Sequence, residues 1–509
     1  MDISRRKFIL STALLIPMMG MGKAYLGFKE NHFRHGLASG DPLQDRVVIW
    51  TRISSLNYSG KKVKWQVATD PGFIKIIKSG EQGISALSDY TVKVDVHGLM
   101  AGMKYYYRFI YQKSVSPVGR TQTLPKALNG RDFNIAVVSC NNWEDGFFNS
   151  FRFLAQKKEV DLVLHLGDYI YEYATGEYGN PGSGRINEPK NELLTLHDYR
   201  TRHAQYRTDA NLQVLHLNKP FYVVWDDHDL ANDAYADGAK NHQPNEGLWQ
   251  QRKADAIQAY LEWMPIRAKN ATDICRKFEI GDDISLYLMD ERSLARTKQM
   301  DDNEVGFESQ DRAIIGNRQY NWLANELKKS KSTWKLIANQ VMFSGYAVAK
   351  GFKLPKYNDW WLGYPYERNK IIKLLTEENI GNPIFLTGDH HESFVLALHK
   401  EEKFMQYTKT YHEKPLAWEF LTPSITSRNG DRKGKEEIVT FENMLADANI
   451  NPHMVFGDIK SHGYFIASIN KHTFKSDYFF VDNILTPDAK EHKAAVFSID
   501  AKTFKLSKQ

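Results

Sequence analysis

A short apolar run that ends in a glycine and an aspartate most constrains how this chain can fold. Residues 161–173 read DLVLHLGDYIYEY, in which a run at 162–166 is followed by Gly167 and Asp168, and Tyr171 lies three residues later. A strand that is apolar on both faces is typical of parallel sheets, and open α/β sheets place ligands and catalysts at the carboxyl ends of their strands. By itself, the Gly-Asp pair is equally consistent with an ordinary tight turn.

The same pattern recurs at four other predicted strands, each of which ends in polar or ionisable side chains. These are residues 134–138 before Cys140, 221–225 before Asp226–Asp229, 334–338 before Asn339–Gln340, and 383–387 before Gly388–His391. Carboxylates that follow a wholly apolar strand need cations or hydrogen-bond donors. Carboxylate, imidazole, amide, phenol and thiol groups together indicate a metal site, and two bridged cations are the usual means of hydrolysing phosphate esters. Taken singly, Cys140, His228 and His391 are equally consistent with buried core residues.

The chain of 509 residues is long enough for two domains. Residues 32–125 contain strand-length runs separated by turn signals and no helix-length segment, which predicts a small all-β sandwich of immunoglobulin or fibronectin type. After a linker at 124–130, residues 131–509 alternate buried strands with helices predicted at 147–158, 197–215, 249–263 and 317–329. This alternation predicts an α/β domain with a parallel sheet. The polar loop at 172–193 is expected to act as a lid or a substrate wall.

The first 24 residues have the features of an export signal. Arg5 and Arg6 precede Phe8, and a largely apolar run extends to Gly22. That run is shorter than the roughly 20 apolar residues that a membrane span needs. The segment resembles a twin-arginine signal, so the twin-arginine translocase is an expected partner and the protein is expected to be periplasmic or secreted. No cysteine follows the run, so we expect no lipoprotein anchor or other stable membrane anchor.

Charge and cysteine content narrow the function classes. The formal net charge is +6, and four of the positive residues lie in the first 24, so the body of the protein is only mildly basic. A nucleic-acid-binding role is therefore not expected, because it would require a concentrated basic face. The chain contains only two cysteines, Cys140 and Cys275, which is not the pattern of a disulfide scaffold. A single bridge between them and a metal-ligand role for one of them are both open.

Together these motifs resemble the calcineurin-like metallophosphoesterase superfamily, and within it the PhoD-type alkaline phosphatases and phosphodiesterases. The resemblance covers nearly the whole chain, and the matching segments are His35–Pro42, Val47–Arg52, Ser139–Cys140, Gly167–Tyr173, Trp225–His228, Gly388–His391 and Glu419–Ser427. It implies an α/β (α+β) core of two packed mixed sheets flanked by helices, preceded by the small sandwich. It also implies an exported monomer that hydrolyses phosphomonoesters, phosphodiesters or both at alkaline pH, through attack by a metal-bridging hydroxide.

The resemblance also implies two unlike metals. The residues that would hold Fe3+ are Cys140, Asp168, Tyr171 and His391. The residues that would hold Ca2+ are Asp168, Asp227, Asp389 and either Asn232 or Asn339. Asp168 would bridge the two ions, and these oxygen, thiolate and phenolate ligands suit the respective metals.

Other roles implied by the resemblance fall on histidines. His228 would donate a proton to the leaving alkoxide. His390 stands where the family commonly has valine, so two adjacent imidazoles compete as the ligand, and the spacing favours His391. His390, His453 and His462 are candidates for contacting the substrate. Asp229 replaces the glutamate that commonly follows Asp-Asp-His in the family, which shortens a carboxylate that supports the ligands.

Two alternatives stay open at this point. A phospholipase D-like or teichoic-acid-type phosphodiesterase would use the same fold, and access past the loop at 172–193 would decide between them. A narrow pocket favours extended or small diesters, whereas an open pocket admits bulky monoesters. The other alternative is a surface-binding protein in which the sandwich is active and the second domain is inert. The complete set of donor residues at the strand ends argues against it.

Overall fold

Three β-sheets form the framework of the part of the chain that the structure describes. The structure is a computed structural model that describes residues 32–55, 62–348, 358–400 and 414–509. The predicted export signal at residues 1–24 lies outside these ranges. The strands are β1 (Leu37–Gly40), β2 (Arg46–Arg52), β3 (Lys62–Ala68), β4 (Ile76–Gly83), β5 (Thr91–His97), β6 (Lys104–Tyr111), β7 (Ser114–Val115), β8 (Gly119–Gln122), β9 (Phe133–Val138), β10 (Leu162–His165), β11 (Pro220–Val223), β12 (Arg276–Ile280), β13 (Ile284–Leu288), β14 (Trp334–Asn339), β15 (Pro383–Thr387), β16 (Ser393–Leu398), β17 (Ala417–Leu421), β18 (Met454–Asp458), β19 (His462–Ile469), β20 (Thr473–Val481), β21 (Glu491–Asp500) and β22 (Leu506–Lys508).

The α-helices within the described ranges connect or cover these strands. They are α1 (Asn149–Gln156), α2 (Leu196–Tyr206), α3 (Ala210–Asn218), α4 (Trp249–Trp263), α5 (Gly316–Lys329), α6 (Pro365–Glu377) and α7 (Lys435–Ala446). The helix predicted at 197–215 is instead two helices, α2 and α3. The break falls at 207–209 because the Asp209 side chain accepts hydrogen bonds from the backbone amides of Asn211 and Leu212 and so starts a new helix. None of the helices in the described ranges is long and apolar enough to cross a membrane.

The two large sheets are mixed, as predicted. The ten-stranded sheet has the order β22-β21-β20-β19-β9-β10-β11-β1-β2-β5, and the seven-stranded sheet has the order β12-β13-β14-β15-β17-β16-β18. In the first, β9, β10 and β11 are parallel, and in the second β13, β14, β15 and β17 are parallel. Apolar side chains from both sheets, including Ile135, Leu164, Leu336 and Ile384, are fully buried in one core cluster. Burial of a leucine or isoleucine of this kind contributes about 1.5–3 kcal/mol each.

The N-terminal region is all-β, but its strands belong to two sheets. β3, β4, β6, β7 and β8 form a separate five-stranded sheet. β1, β2 and β5 instead extend the ten-stranded sheet, because β1 pairs in parallel with β11, with Ser39 opposite Pro220. Apolar residues such as Val47, Val67 and Tyr107 fill the core between these two layers. The sandwich therefore shares a sheet with the core that follows it, and the domain boundaries near 125 and 131 stay predictions.

The parallel strands bring their carboxyl ends to one region between the two large sheets. An isolated parallel bridge joins Ser139, after β9, to Ser424, after β17. The Ile425 amide donates to the Ser139 carbonyl at 3.0 Å, and the Ser427 amide donates to the Cys140 carbonyl at 3.2 Å. These bonds tie the loop after one sheet to the loop after the other, so polar residues at both sets of strand ends meet.

Candidate metal centre

The loops that carry the candidate ligands have an unusual backbone. Cys140, Asp168, Asp389 and His391 all have positive φ angles, of 60°, 54°, 57° and 67°. This left-handed conformation is unfavourable for residues with a side chain and persists where the surrounding structure enforces it, which is common at functional sites. Here the enforcement includes a hydrogen bond from the Cys140 amide to the Gly167 carbonyl at 3.1 Å. The ends of three strands, β9, β10 and β15, therefore turn abruptly at residues that the sequence singled out.

Gly167 is needed at the opening turn because the next strand end approaches it closely. Its φ is +114°, and a Cβ atom at this position would lie 2.3 Å from the Cβ of Asp226. The Asp229 carboxylate fastens the two turns together. It accepts hydrogen bonds from the amides of Tyr169 at 3.0 Å, Ile170 at 3.2 Å and Asp226 at 3.0 Å. The aspartate at 229 thus fills a structural role between the β10 and β11 ends.

The first group of donors lies around the Asp168 carboxylate. One ligand atom from each of Cys140, Asp168 and His391 lies within 4.8 Å of the others. The Tyr171 hydroxyl donates to Asp168 Oδ2 at 2.9 Å and lies 3.4 Å from His391 Nε2. The structure thus brings together all four residues that were predicted to hold iron.

Neighbouring groups orient two of these donors. The backbone carbonyl of Arg428 lies 2.7 Å from His391 Nδ1, so that nitrogen donates and Nε2 keeps a lone pair on the side of Asp168. The Ser427 hydroxyl lies 2.5 Å from the Tyr171 oxygen and donates to it. A phenol oxygen that accepts this bond is well placed to act as an anionic ligand.

The second and third groups of donors share Asp227, and the second group also contains Asp168. One consists of Asp168, Asp227 and His228, and the other consists of Asp226, Asp227 and Asp389. In each group the ligand atoms lie within 4.8 Å of one another. Asp168 therefore belongs to two groups, which is the position that a bridging carboxylate requires.

His228 is held by a buried carboxylate. Its Nδ1 lies 2.8 Å from Glu172 Oε2, and Glu172 is fully buried and also accepts from the Asn232 amide at 2.7 Å and the Asn241 side chain at 2.8 Å. Burial would lower the pKa of His228, but the charges of Asp227, Glu172 and Asp168 raise it well above its usual value. The imidazole therefore keeps its proton in the surroundings that this chain provides, as a proton donor must.

Arg292 is the principal feature of the site that sequence reasoning missed. Its fully buried guanidinium lies 2.5 Å from Asp226, 2.7 Å from Asp359, 2.7 Å from Asp389 and 3.5 Å from Asp227. It follows β13 in the triplet Asp290-Glu291-Arg292, and a cluster of charges after an apolar strand was the available signal. One internal cation therefore faces four carboxylates, which it holds in place.

Burial disfavours the charged forms of several donors. Burial raises the pKa of the Cys140 thiol and of the Tyr171 phenol well above their usual values, and the charge of Asp168 adds to both shifts. Burial raises the pKa of Asp227 to about 6 although Arg292 opposes the shift. Asp227 Oδ1 is buried and has no hydrogen-bond partner among the described residues. The donor set fits metal ions. Because metal binding displaces protons from these donors, the affinity for metal should increase as the pH rises.

The two candidate asparagines differ. The Asn339 side chain donates to the Val341 carbonyl and to Thr387 Oγ1, and its oxygen accepts from Trp361 Nε1 at 3.0 Å. Its amide is therefore engaged on both sides, and the structure argues against the prediction that it binds calcium. Asn232 is half-buried beside Glu172, to which its backbone amide donates. Asn232 is thus the amide retained as a candidate ligand.

The three histidines predicted to contact substrate each contact other groups of the chain. His390 packs among Trp360, Phe394 and Tyr346, with ring centroids at 4.8–5.8 Å, and its Nε2 lies 3.3 Å from Glu392. These contacts make His391, not His390, the imidazole beside Asp168.

His453 and His462 are both buried and contact other groups of the chain, and their role as substrate contacts stays a prediction. His453 is buried with its Nε2 2.6 Å from the Gly345 carbonyl, and burial lowers its pKa to about 4. His462 is buried behind the loop at 424–427, with Nδ1 3.0 Å from Ser424 Oγ and Nε2 3.4 Å from Asp431. The spacing of histidines in the sequence alone could not show that both of these rings are buried. The two cysteines are both free thiols, so the possible bridge between them does not form.

In this centre, two groups of donors share one carboxylate, and they lie where two packed sheets bring their strand ends together. Two cations held in this way promote the hydrolysis of phosphate esters. This fold and this centre define the class of the protein as a phosphoesterase. Comparison with known proteins agrees with that assignment. The family model for PhoD-like phosphatase matches residues 135–478, and the model for the PhoD-like phosphatase N-terminal domain matches residues 22–125.

The chain belongs to the PhoD-like phosphatase family. Alkaline phosphatase D of Bacillus subtilis (strain 168) is 35% identical over 489 residues, which are 92% of this chain and 81% of that protein. A solved structure described as the structure of PhoD has a TM-score of 0.82 at 32% identity, covering 94% of this chain and 92% of that one. The protein is accordingly a phosphatase, which removes the alternative of a surface-binding protein with an inert second domain.

Proposed function

We propose that the protein is an exported, metal-dependent phosphatase that hydrolyses phosphomonoesters, phosphodiesters or both at alkaline pH. The observation that carries this proposal is the convergence of two sets of donors on Asp168. Cys140, Asp168, Tyr171 and His391 would hold Fe3+. Asp168, Asp227, Asp389 and Asn232 would hold Ca2+. When bound, such a pair of cations supplies an activated water and neutralises charge on the phosphoryl group.

The chain itself supplies the proton and the walls of the site. His228, held by Glu172, is the group that would protonate the leaving oxygen. The ring of Tyr171 stacks on His228 with centroids 4.3 Å apart, and Tyr178, from the loop at 172–193, stacks on Tyr171 at 5.8 Å. These rings and that loop would limit access of water to the imidazole and fix its plane.

The proton-donor role predicts a dependence on the leaving group. Replacing His228 by asparagine should lower kcat by about 10²- to 10⁴-fold for an alkyl phosphate, whose leaving alkoxide needs a proton. The loss should be much smaller for a nitrophenyl phosphate, whose leaving group is stable as an anion. Steady-state kinetics on both substrates with the metal-loaded protein measures the difference. Equal losses on the two substrates would show that His228 does not donate the proton.

The iron assignment predicts a colour. A ferric ion held by thiolate and phenolate ligands absorbs visible light, so the purified protein should be purple to brown. Cys140→Ala should bleach or shift this absorption, whereas Cys275→Ala should leave it unchanged, because Cys275 instead lies against Gln319. Visible spectra and metal analysis of the three proteins provide the measurement. A colourless and iron-free protein with full activity would refute the assignment.

The export route is testable through the arginine pair. If the twin-arginine translocase carries the protein, replacing Arg5 and Arg6 together by lysine should leave it in the cytoplasm, because that pathway reads the pair itself and not its charge. Lys23→Gln changes a charge in the same segment and should not affect export. Cell fractionation and immunoblotting follow the protein, and normal export of the double-lysine variant would exclude this route.

A further inference from the structure

The Arg428 guanidinium forms no ion pair with a carboxylate among the residues that the structure describes. Its guanidinium carbon lies 3.8 Å from the centroid of the Tyr178 ring, which is a cation–π contact. Its Nε is buried and has no hydrogen-bond partner among the residues that the structure describes. The only polar contacts of Arg428 in those ranges are made by its backbone: the amide donates to Asp145 at 3.1 Å and the carbonyl accepts from His391.

Other arginines around the centre are already committed. Arg432, four residues later, pairs with Asp145, and Arg185 pairs with Asp209 at 3.1 Å. Arg292 and Arg296 both pair with Asp359 at 2.7 Å. The charge of Arg428 is therefore available to an anion that comes from outside the chain.

The backbone of Arg428 lies directly beside the candidate donors. Its carbonyl fixes His391, and the residue before it, Ser427, contacts the Tyr171 oxygen. The ring on which Arg428 stacks, Tyr178, is itself nearly parallel to Tyr171, with an interplanar angle of 9°. A guanidinium held against a ring has fewer conformations to lose when its N–H fork, whose geometry matches phosphate oxygens, binds an anion.

We propose that Arg428 is a substrate-binding residue that contacts a non-bridging phosphoryl oxygen and favours phosphomonoester dianions over phosphodiester monoanions. This inference rests on the proposed function, because it concerns the substrate of the same site. The preference follows from charge: a monoester carries one more negative charge than a diester, and the unpaired guanidinium stabilises that additional charge.

Replacing Arg428 by glutamine is the central test. We expect kcat/KM for an aryl phosphate monoester to fall by about 10- to 100-fold, the usual effect of losing one charge-assisted hydrogen bond. For the matching bis-aryl phosphodiester the fall should be no more than about threefold, as for a weak screened interaction. Arg428→Lys keeps the charge but not the fork and should recover part of the monoester rate. An equal fall on both substrates, or no fall on either, would overturn the proposal.

A matched control and a second measurement separate binding from folding. Arg108 also stacks on a ring, with its guanidinium 4.1 Å from the Phe73 centroid, but it lies on β6 in the five-stranded sheet, so Arg108→Gln should leave the substrate ratio unchanged. Metal analysis should show the same metal content in Arg428→Gln as in the parent protein, because His391 is held by the backbone of Arg428.

Titration calorimetry with inorganic phosphate needs no turnover. The metal-loaded parent protein should bind phosphate about 10-fold or more tightly than Arg428→Gln. Equal phosphate affinities would overturn the proposal even if the parent protein were an active phosphatase. A parent protein that binds phosphate through Arg428 but hydrolyses neither ester would instead contradict the proposed function alone. The two failures are thus distinguishable.

Discussion

Asp168→Asn is expected to abolish phosphatase activity while the protein stays folded. Asp168 contributes to both the group with Cys140 and His391 and the group with Asp227 and His228. Asparagine keeps the shape but offers a neutral oxygen, so both cations would lose the anionic ligand between them. Because such cations supply several kcal/mol of transition-state stabilisation, kcat/KM should fall by at least about 10³-fold.

The contacts of Asp168 with His228, His391 and Tyr171 lower its pKa to about 2 against the effect of burial, but asparagine keeps its size and an oxygen that can accept from the His228 amide, so the fold should tolerate this change. Burial and the nearby charges, including that of Asp168, raise the pKa of Asp389 well above its usual value despite Arg292. Circular dichroism and thermal melting should therefore stay close to those of the parent protein, while metal analysis should show loss of metal. Asp237→Asn removes an exposed carboxylate and should keep full activity. Turnover retained in Asp168→Asn would contradict the two-cation centre.

Arg292→Met is expected to have the largest effect on stability. The guanidinium is fully buried and contacts Asp226, Asp359 and Asp389 within 2.7 Å. Removing one partner of a buried ionic network leaves the other charges uncompensated, which costs about 3–5 kcal/mol. Urea unfolding of the metal-free protein at neutral pH should show this decrease in the free energy of unfolding. A decrease below about 1 kcal/mol would show that the four carboxylates do not depend on Arg292.

The same variant should show a characteristic dependence on pH. Burial raises the pKa of Asp226 well above its usual value, and Arg292 partly opposes that shift, so the variant should raise it further. A carboxyl group whose pKa is higher in the folded protein than in the unfolded chain binds more protons in the folded state. The folded protein therefore becomes more stable as the pH falls towards the pKa of the unfolded chain. The deficit of Arg292→Met should therefore shrink as the pH is lowered from 7 to about 5. Arg46→Met, at a half-exposed ion pair with Asp45, should change stability by less than about 1 kcal/mol at either pH.

The local sequence pattern was sufficient to predict those structural features that neighbouring residues form among themselves. The apolar runs before Cys140, Asp168, Asp227 and Asp389 predicted buried strands that end in donors, and β9, β10, β11 and β15 are present there. The helix at 249–263 was predicted at its observed bounds, whereas 197–215 was not, because the single side chain of Asp209 breaks it. The all-β texture of the N-terminal region was also predictable, since strand periodicity is local.

The tertiary structure decided what depends on residues far apart in the sequence. Strand periodicity could not show that β1 joins the sheet of the core, because that pairing lies between residues 39 and 220. Histidine spacing could not show that His453 and His462 are buried. Nor could the sequence show that the Asn339 side chain accepts a hydrogen bond from Trp361.

The candidate metal centre also has features that the sequence predicts and features that only the tertiary structure shows. The sequence by itself determined that Gly167 and Asp168 end a buried strand and that thiol, phenol, imidazole and carboxylate donors follow similar strands. Only the tertiary structure placed Arg292 among four carboxylates, at separations of 65 to 97 residues. It also left the Arg428 guanidinium without an ion-pair partner in the part of the chain that the structure describes. The physical reason is that the charge balance of a buried site depends on every charged group that folding brings within a few ångströms. A local sequence pattern does not show which distant segments will supply those groups.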